Sequence, residues 1–542
     1  MSELRIVTHP LGGSPLARDA VAGRLPAAWL PAVPRGAAWR DRVAAVRDTF
    51  AQRDWLDALA PAISASGTAA ARLARSAGGR GVVVTTGQQP GLFGGPLYTW
   101  HKALSALALA DALERETGVP VAPLFWAATD DADFAEASVT YVAVPGGVRE
   151  IALSGRAEAS RRGSGAIALR ELPLGDVRAQ VAELVLGAGS ATFADALETV
   201  RACYRADATV GEAYVCLLRA LLEPMGIAVL DAGHPAVREA ALPTLRKAMH
   251  AAREIDAALQ TRDAEMRRAG YDPQVSHVPG LSLVFHAADG RQRLPIAQAV
   301  EGSAEPLGPN VLLRPVVERS ILPTAAYVAG PAELAYFAQS SAVAAALDTA
   351  PPLGVPRWSA TIVEPHVGRI LDRHALRIEE LRDAHAAETR LAGERVPDDV
   401  QCALAQLRQT AAEACDRMLA PDAARRLLPP AVIAGFHRDL EHRVSRLERR
   451  ARAAVKRADA QMMHDIATAR GSLFPGGAPQ ERRLNLIPLL ARHGPVLLDA
   501  LRAEASAHAA AVVESRAGEA PSAHAVTVAS AHAASRASPG RG

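Results

Sequence analysis

GVVVTTGQQPGLFGGPLYTWHKA, residues 81–103, is the stretch that decides the fold. Residues 81–86 form a Val/Thr run of the kind expected of a buried strand. Gly87, Gly91, Gly94 and Gly95 follow within nine residues, and Pro96 suits the first turn of a helix. This is a strand, glycine loop, helix unit. Glycines let a backbone approach a ligand, and free amides at a helix start attract anions, so phosphate or carboxylate is the expected guest. Gln88 and Gln89 offer amide donors and acceptors, and Lys102 lies about two turns into the helix. The spacing matches neither GxxxxGK[ST] nor GxGxxG. An anion cradle and a tight structural turn both remain readings of the loop.

Outward from this unit, apolar β-rich runs alternate with Ala/Leu-rich helical stretches from residue 1 to about 365, as in a mostly parallel sheet with crossover helices. Residues 121–127, 226–231 and 311–314 read as further strands. Asp130, Asp131 and Asp133 follow the run at 121–127, where an open parallel sheet places ligands. Three carboxylates so close could hold Mg²⁺, grip an ammonium group or serve as a general base; Asp133 with Glu136 also reads as a helix capping box. A third signal, SILPTAAYVAGPAELAYFAQ at 320–339, runs from an apolar segment through Gly330-Pro331 into a helix. It sets Glu333, Tyr336 and Gln339 near that helix's start.

Residues 137–210 read as a turn-rich insertion. From 366 to 470 the pattern becomes long helices with Arg/Glu-rich faces, broken at Pro397, Pro421 and Pro429-Pro430. Leu440, Val444, Leu447, Ala451, Ala454 and Ala458 form a stripe suited to a partner helix, beside an arginine-rich face that reads as solvated, with anion binding as the alternative. Residues 471–505 read as a return to the core, and 506–542, rich in Ala, Ser and His, as a disordered tail.

With 542 residues, 49% hydrophobic and 22% charged, the chain has room for about two to four domains. Sixty Lys and Arg against 58 Asp and Glu leave no field that would draw it onto nucleic acid or a membrane. No apolar run of about 18 residues occurs. Four cysteines, Cys203, Cys216, Cys402 and Cys415, are too few for a disulfide framework; they point to a reducing cytoplasm, with Cys203 and Cys216 as core thiols. HExxH, GxSxG and CxxC are absent, so metalloprotease, serine hydrolase and thioredoxin chemistry drop out.

The run from Gly87 to Lys102, the acidic stretch after 127, and the blocks SPLARD, GYDPQVS, PNVLLRPVV, ILPTAAYVAGPAELAYFAQ, PRWSATIVE and LFPGGAPQERRLNLIPLL together resemble the bacillithiol-biosynthesis cysteine ligase family BshC. The resemblance implies an α/β, Rossmann-like core akin to class I aminoacyl-tRNA synthetases, a connecting-peptide insertion and a helical coiled-coil domain that dimerises. It implies cysteine and glucosaminyl malate as substrates, joined through an amide in the last step of bacillithiol synthesis. ATP or another nucleotide, with Mg²⁺, would serve the activation that such a bond needs. The site it suggests has Asp130, Asp131, Asp133 and Lys102 as catalytic groups. Gly87, Gln88, Gln89, Gly91, Gly94, Gly95, Thr99, Trp126, Arg314, Gly330, Glu333, Tyr336 and Gln339 would bind substrate or anion, and no residue is assigned as a dedicated metal ligand. Two departures stand out: where the family reads Glu-Asp-His-Asp this chain has Asp130 and Ala132 in place of Glu and His, and only residues 356–361 lie where a KMSKS-like loop would be sought. A metabolite-binding homodimeric scaffold without catalysis is the alternative, and aminoacyl transfer to RNA is disfavoured by the near-neutral charge.

Overall fold

The computed structural model describes residues 3–153, 161–162, 165–286, 292–301, 306–383, 385–419, 428–514 and 524–528. The strands that matter for the site are β1 (Leu4–Thr8), β2 (Val82–Gln88), β3 (Val121–Ala127), β4 (Ala228–Asp231), β5 (Thr324–Ala329), β6 (Gly354–Pro356), β7 (Ala360–Val363) and β8 (His524–Val528). The helices are α1 (Leu97–Thr117), α2 (Pro235–His250), α3 (Arg314–Ile321), α4 (Pro331–Ala346), α5 (Asp398–Leu419), α6 (Pro430–Ala458) and α7 (Ile487–Glu514).

Five strands form a parallel sheet in the order β6-β5-β2-β3-β4. β2 and β3 pair without a slip from Val82 opposite Val121 to Gln88 opposite Ala127. Both are buried almost throughout, which accounts for their unbroken apolar sequences. The chain passes from β2 through β3 to β4 at one edge, then returns to place β5 on the other side of β2. The carboxyl ends of β2 and β5 therefore flank a topological switch point, where an open α/β sheet leaves a crevice. α1 packs on β2 and β3 and is itself covered by α7, so it is buried on nearly every side.

Residues 311–314 are not the expected strand. Asn310 Oδ1 accepts from the backbone N–H groups of Leu312 (3.1 Å) and Leu313 (3.0 Å), and this Asx turn bends the apolar run into α3. The local strand is Leu307–Pro309, which pairs antiparallel with Leu281–His286 in a separate sheet. Nor is the chain beyond 506 uniformly without structure: α7 continues to Glu514, and β8 pairs antiparallel with β1 from Leu4 opposite Val528 to Thr8 opposite His524. Alanine is the best helix former, and Leu501, Ala505, Ala509 and Val513 bury one face of α7. The rest of the expected tail, 515–523 and 529–542, lies outside the described residues, as do 154–160 of the insertion and Pro421.

Cys203 and Cys216 are not core thiols but a disulfide. One ends the helix Asp195–Cys203 and the other lies in the helix Val210–Leu222, whose packing brings their Cα atoms to 5.5 Å.

The helical unit, Val363–Pro479 with the short stretch Ala143–Val148, is a separate compact body. α5 begins just after Pro397 and α6 at Pro430. They pack through Leu404 and Cys415 on one and Ile433 and Val444 on the other, with Arg408 bridging to Glu448 at 2.6 Å. Of the expected stripe, Val444 is buried, Leu440 and Ala451 are half-buried, and Leu447, Ala454 and Ala458 are exposed. The buried line passes through Ile433 instead, leaving Leu407, Val432, Phe436 and Leu447 uncovered within the chain. Arg443, Arg446, Arg449, Arg450 and Arg457 are exposed, a solvated face. No described helix is long and apolar enough to cross a membrane.

The ordered end of the chain makes a checkable claim. A chain cut after residue 505 loses the buried Ala509 and Val513, a side chain worth about 2 kcal/mol, and the pairing of β8. Its thermal midpoint should fall by several degrees in a melt followed by circular dichroism.

Candidate active site

The cleft at the switch point holds about 590 Å³. Its floor is a buried ion pair: Lys102 Nζ donates to Glu333 Oε2 at 2.7 Å, to Gln88 Oε1 at 3.3 Å and to the carbonyl of Gly87. Glu333 also accepts from Tyr327 Oη–H at 2.6 Å and from the N–H of Gly330 at 2.7 Å. Burial disfavours the Glu333 anion, yet the Lys102 charge and these donors outweigh it and hold its carboxyl below the usual range. At Gly87 the chain has no space for a side chain, because a Cβ would lie 2.8 Å from the Trp126 carbonyl.

Arginines line the cleft above this floor. Arg314 donates to Tyr336 Oη at 2.9 Å and to Glu318 Oε2 at 3.3 Å, and Glu318 accepts from Thr85 Oγ1–H at 2.5 Å. Arg357 makes a two-point contact with Glu481, at 2.6 and 2.8 Å, whose carboxylate is further held by Ser359 and His101. Arg482 and Arg293 complete the set. Acids line the cleft as well. Asp130, Asp131 and Glu136 line it; Gln89 Nε2 donates to Asp131 Oδ2 at 2.5 Å, and the N–H of Ala132 to Oδ1 at 2.6 Å. Tyr98 accepts from Gln88 Nε2 at 3.1 Å and donates to Glu136 Oε1 at 3.4 Å, with the Arg357 guanidinium 5.9 Å from its ring centroid. Burial, then the charges of Asp133 and Asp131, push the Glu136 carboxyl above its usual value.

Of the residues singled out from sequence, Gly87, Gln88, Gln89, Lys102, Trp126, Asp130, Asp131, Arg314, Gly330, Glu333 and Tyr336 line this cleft. The others are placed elsewhere. Asp133 is exposed and caps the short helix Phe134–Ala137, accepting from the N–H of Glu136 at 3.0 Å. Gln339 is buried, donating to Asp263 at 2.9 Å and to the Val275 carbonyl at 2.8 Å. Thr99 is buried behind the loop.

Gly91, Gly94 and Gly95 serve the tight-turn reading. The loop folds inward as a 3₁₀ turn, Leu92–Gly94, with φ of +53° at Phe93, +88° at Gly94 and +73° at Gly95. Asn485 Nδ2 lies 3.0–3.4 Å from the carbonyls of Leu92, Phe93 and Gly95. The N–H of Gly94 donates to Tyr204 Oη at 3.3 Å, and at the start of α1 the N–H of Leu97 donates to the Leu484 carbonyl at 2.9 Å. The loop's backbone is thus spent on protein partners. Among the described residues no group of three or more His, Cys, Asp or Glu could hold a metal ion.

Sequence reading missed Tyr98, Tyr327 and Arg482 as lining groups, and the support that Glu481 gives to Arg357. Tyr98 carried a local signal, one helical position past the glycine loop. Glu481 carried none, for it lies 124 residues from its partner.

A Rossmann-like sheet with a polar switch-point cleft and a separate helical body defines a ligand-binding α/β protein with an appended helical domain. The family profile described as bacillithiol biosynthesis BshC, N-terminal Rossmann-like domain, matches residues 33–358, and that of the BshC C-terminal coiled-coil domain matches 360–511. The chain belongs to the BshC family of bacillithiol biosynthesis. Relatives named "Putative cysteine ligase BshC" include those of Solibacter usitatus, 33% identical over 80% of this chain and 84% of the relative, and Koribacter versatilis, 33% identical over 85% and 87%. That of Bacillus licheniformis is 26% identical over 78% and 82%.

The floor of the cleft should behave as a buried pair. Lys102→Met leaves the Glu333 carboxylate without its countercharge and should cost about 3–5 kcal/mol in urea unfolding at neutral pH. Adding Glu333→Gln should restore much of the loss. Because the Glu333 carboxyl is depressed in the fold, the pair's contribution is present above the unfolded carboxyl value of about 4.3 and should fade as pH falls below it. Asn485→Ala, which strips the glycine loop of its donor, should cost about 2 kcal/mol by the same measurement.

Proposed function

We propose that this chain is a ligase that joins the carboxyl group of cysteine to the amine of glucosaminyl malate, the closing step of bacillithiol synthesis. The observation that carries the reading is the mixed charge of the cleft, which gathers the acids Asp130, Asp131 and Glu136 and the guanidinium groups of Arg314, Arg357 and Arg482 around one space. The name borne by the relatives supports cysteine as the substrate. The acids suit an ammonium group; the guanidinium charges suit carboxylates or phosphates, with Arg482 and Arg314 as the groups to meet them, since the paired N–H donors of Arg357 are already held by Glu481. ATP, whose anionic groups fit such cations, would supply the activation that amide formation from a carboxylate requires. Mg²⁺ would accompany those phosphates, leaving Asp130 and Asp131 to the ammonium group.

The chain's own part is to position and to move a proton. The amine arrives as an ammonium ion and must lose a proton before it attacks. Glu136, raised above an ordinary carboxyl and joined to Tyr98, suits the acceptor. A homodimer through the helical unit belongs to the same reading, supported by the uncovered Leu407, Val432, Phe436 and Leu447.

Incubation of the pure protein with cysteine, glucosaminyl malate and ATP should yield the amide by mass spectrometry; its absence, with both substrates bound, would favour the non-catalytic scaffold to which Ala132 points. Asp131→Asn should lower kcat/KM at least a hundredfold, about 2.7 kcal/mol, while Asp133→Asn, still a good cap, should stay near wild type. A raised carboxyl is protonated at higher pH than usual, so kcat/KM should fall on the acid side above the ordinary Glu value of about 4.3. Glu136→Gln should slow the reaction and remove that limb. In light scattering the protein should be a dimer, and Phe436→Asp with Leu447→Asp a folded monomer.

A further inference from the structure

A second, smaller cavity of about 80 Å³ opens beside the cleft. Trp126, Asp130, Phe285 and Pro309 line both spaces. Its far wall is built from the insertion, through Ala166, Ile167 and Ala168, and from Val237, Ala241 and Leu245 of α2. The insertion is fastened here by its backbone: the N–H of Leu169 donates to the Asp131 carbonyl at 2.7 Å and that of Arg170 to the Thr129 carbonyl at 2.9 Å. Asp231, which bridges to Arg170, accepts from Thr129 as well, so the charged rim at Arg170 is already engaged.

The size of the cavity points to a small ligand. A volume of 80 Å³ admits roughly five water-sized groups, enough for a short side chain and too little for a sugar. Its lining is largely apolar, from Ile167, Val237, Ala241, Leu245 and Phe285, with Asp130 on the side shared with the cleft.

We propose that this side pocket receives the side chain of the amino-acid substrate and sets its identity as cysteine, a proposal that rests on the ligase reading for the choice of amino acid. The ammonium group lies at Asp130 on the shared wall, the carboxyl group stays in the main cleft, and the –CH₂SH group enters the largely apolar recess. Sulfur is favoured there over oxygen. A thiol loses little on leaving water and packs well against the Trp126 and Phe285 rings, whereas a serine hydroxyl gives up hydration for an apolar lining. Longer side chains exceed the space. The pocket thus reads size and apolarity, not thiol reactivity, and L-2-aminobutyrate, with a methyl where cysteine has its thiol, should fit it almost as well.

Calorimetric titration of the full-length protein with cysteine, L-2-aminobutyrate, serine, norvaline and glycine tests this, alongside the amide assay. L-2-aminobutyrate should bind within about fivefold of cysteine, and serine and norvaline at least tenfold more weakly. Ala168→Leu, at a half-buried loop position, should weaken cysteine and L-2-aminobutyrate at least tenfold and leave glycine unchanged, a control for folding of the site. Asp130→Asn, at the ammonium position common to every ligand, should weaken all five together. Serine binding as tightly as L-2-aminobutyrate, or Ala168→Leu leaving the ranking intact, overturns the side pocket even if the amide forms. The expected ranking without amide formation upholds the pocket and overturns the ligase reading; neither binding nor product overturns both.

Discussion

The Lys102 ammonium is the point on which the site turns. A fully buried lysine must find partners for its charge, and here they come from the end of β2 and the start of α4: the Gly87 carbonyl, Gln88 and Glu333. Those two chain segments lie on opposite sides of the switch point, so one cation fixes the distance between the strands' ends. Glu333 is committed on both oxygens, Oε2 to Lys102 and to the Gly330 amide that opens α4, and Oε1 to the Tyr327 hydroxyl. The cationic character of the cleft then comes from the arginines around this neutralised floor. Their own countercharges, Glu318 for Arg314 and Glu481 for Arg357, lie buried behind them.

Much of this was legible in the sequence. The Val/Thr run at 82–86 and the apolar run at 121–127 could only be strands buried on both faces, and the acids after residue 127 had to emerge at a carboxyl edge. The cleft residues Gln88, Lys102, Asp130, Asp131 and Glu333 follow from that reasoning alone. What misled it was the glycine loop. Clustered glycines signal that something approaches the backbone closely, but not what. Here it is Asn485, Trp100 and Tyr204 of the same chain, since Gly94 would press a Cβ to 2.7 Å from the Trp100 ring. The same ambiguity affected 311–314, where an apolar triplet suggested a strand and a single asparagine side chain turned it into a helix entrance.

Long-range partners are the part that sequence could not supply. Glu481 supports Arg357, and Asn485 holds a loop some 390 residues earlier. Neither shows a periodicity or a spacing that marks it. The alanine-rich end of the chain failed for a different reason: low content of large apolar residues argued against order, yet small side chains let α7 sit closely on α1. The packing partner, not the composition, decided the outcome.

The buried pairing of Arg357 with Glu481 has a consequence for how the molecule is made. The whole helical unit, from Val363 to Pro479, is threaded between the two halves of that ion pair. A ribosome must therefore synthesise every residue of that body before Glu481 can reach Arg357, and β1 must wait for β8, which follows the whole α/β and helical sequence. Until then the Arg357 guanidinium has no countercharge and the glycine loop no asparagine. Such a domain closes late and over long sequence separations, the regime in which folding is slow and nascent chains depend on protection from aggregation. Truncated products that stop within the helices should accordingly be poor folders, even though they contain every strand of the central sheet.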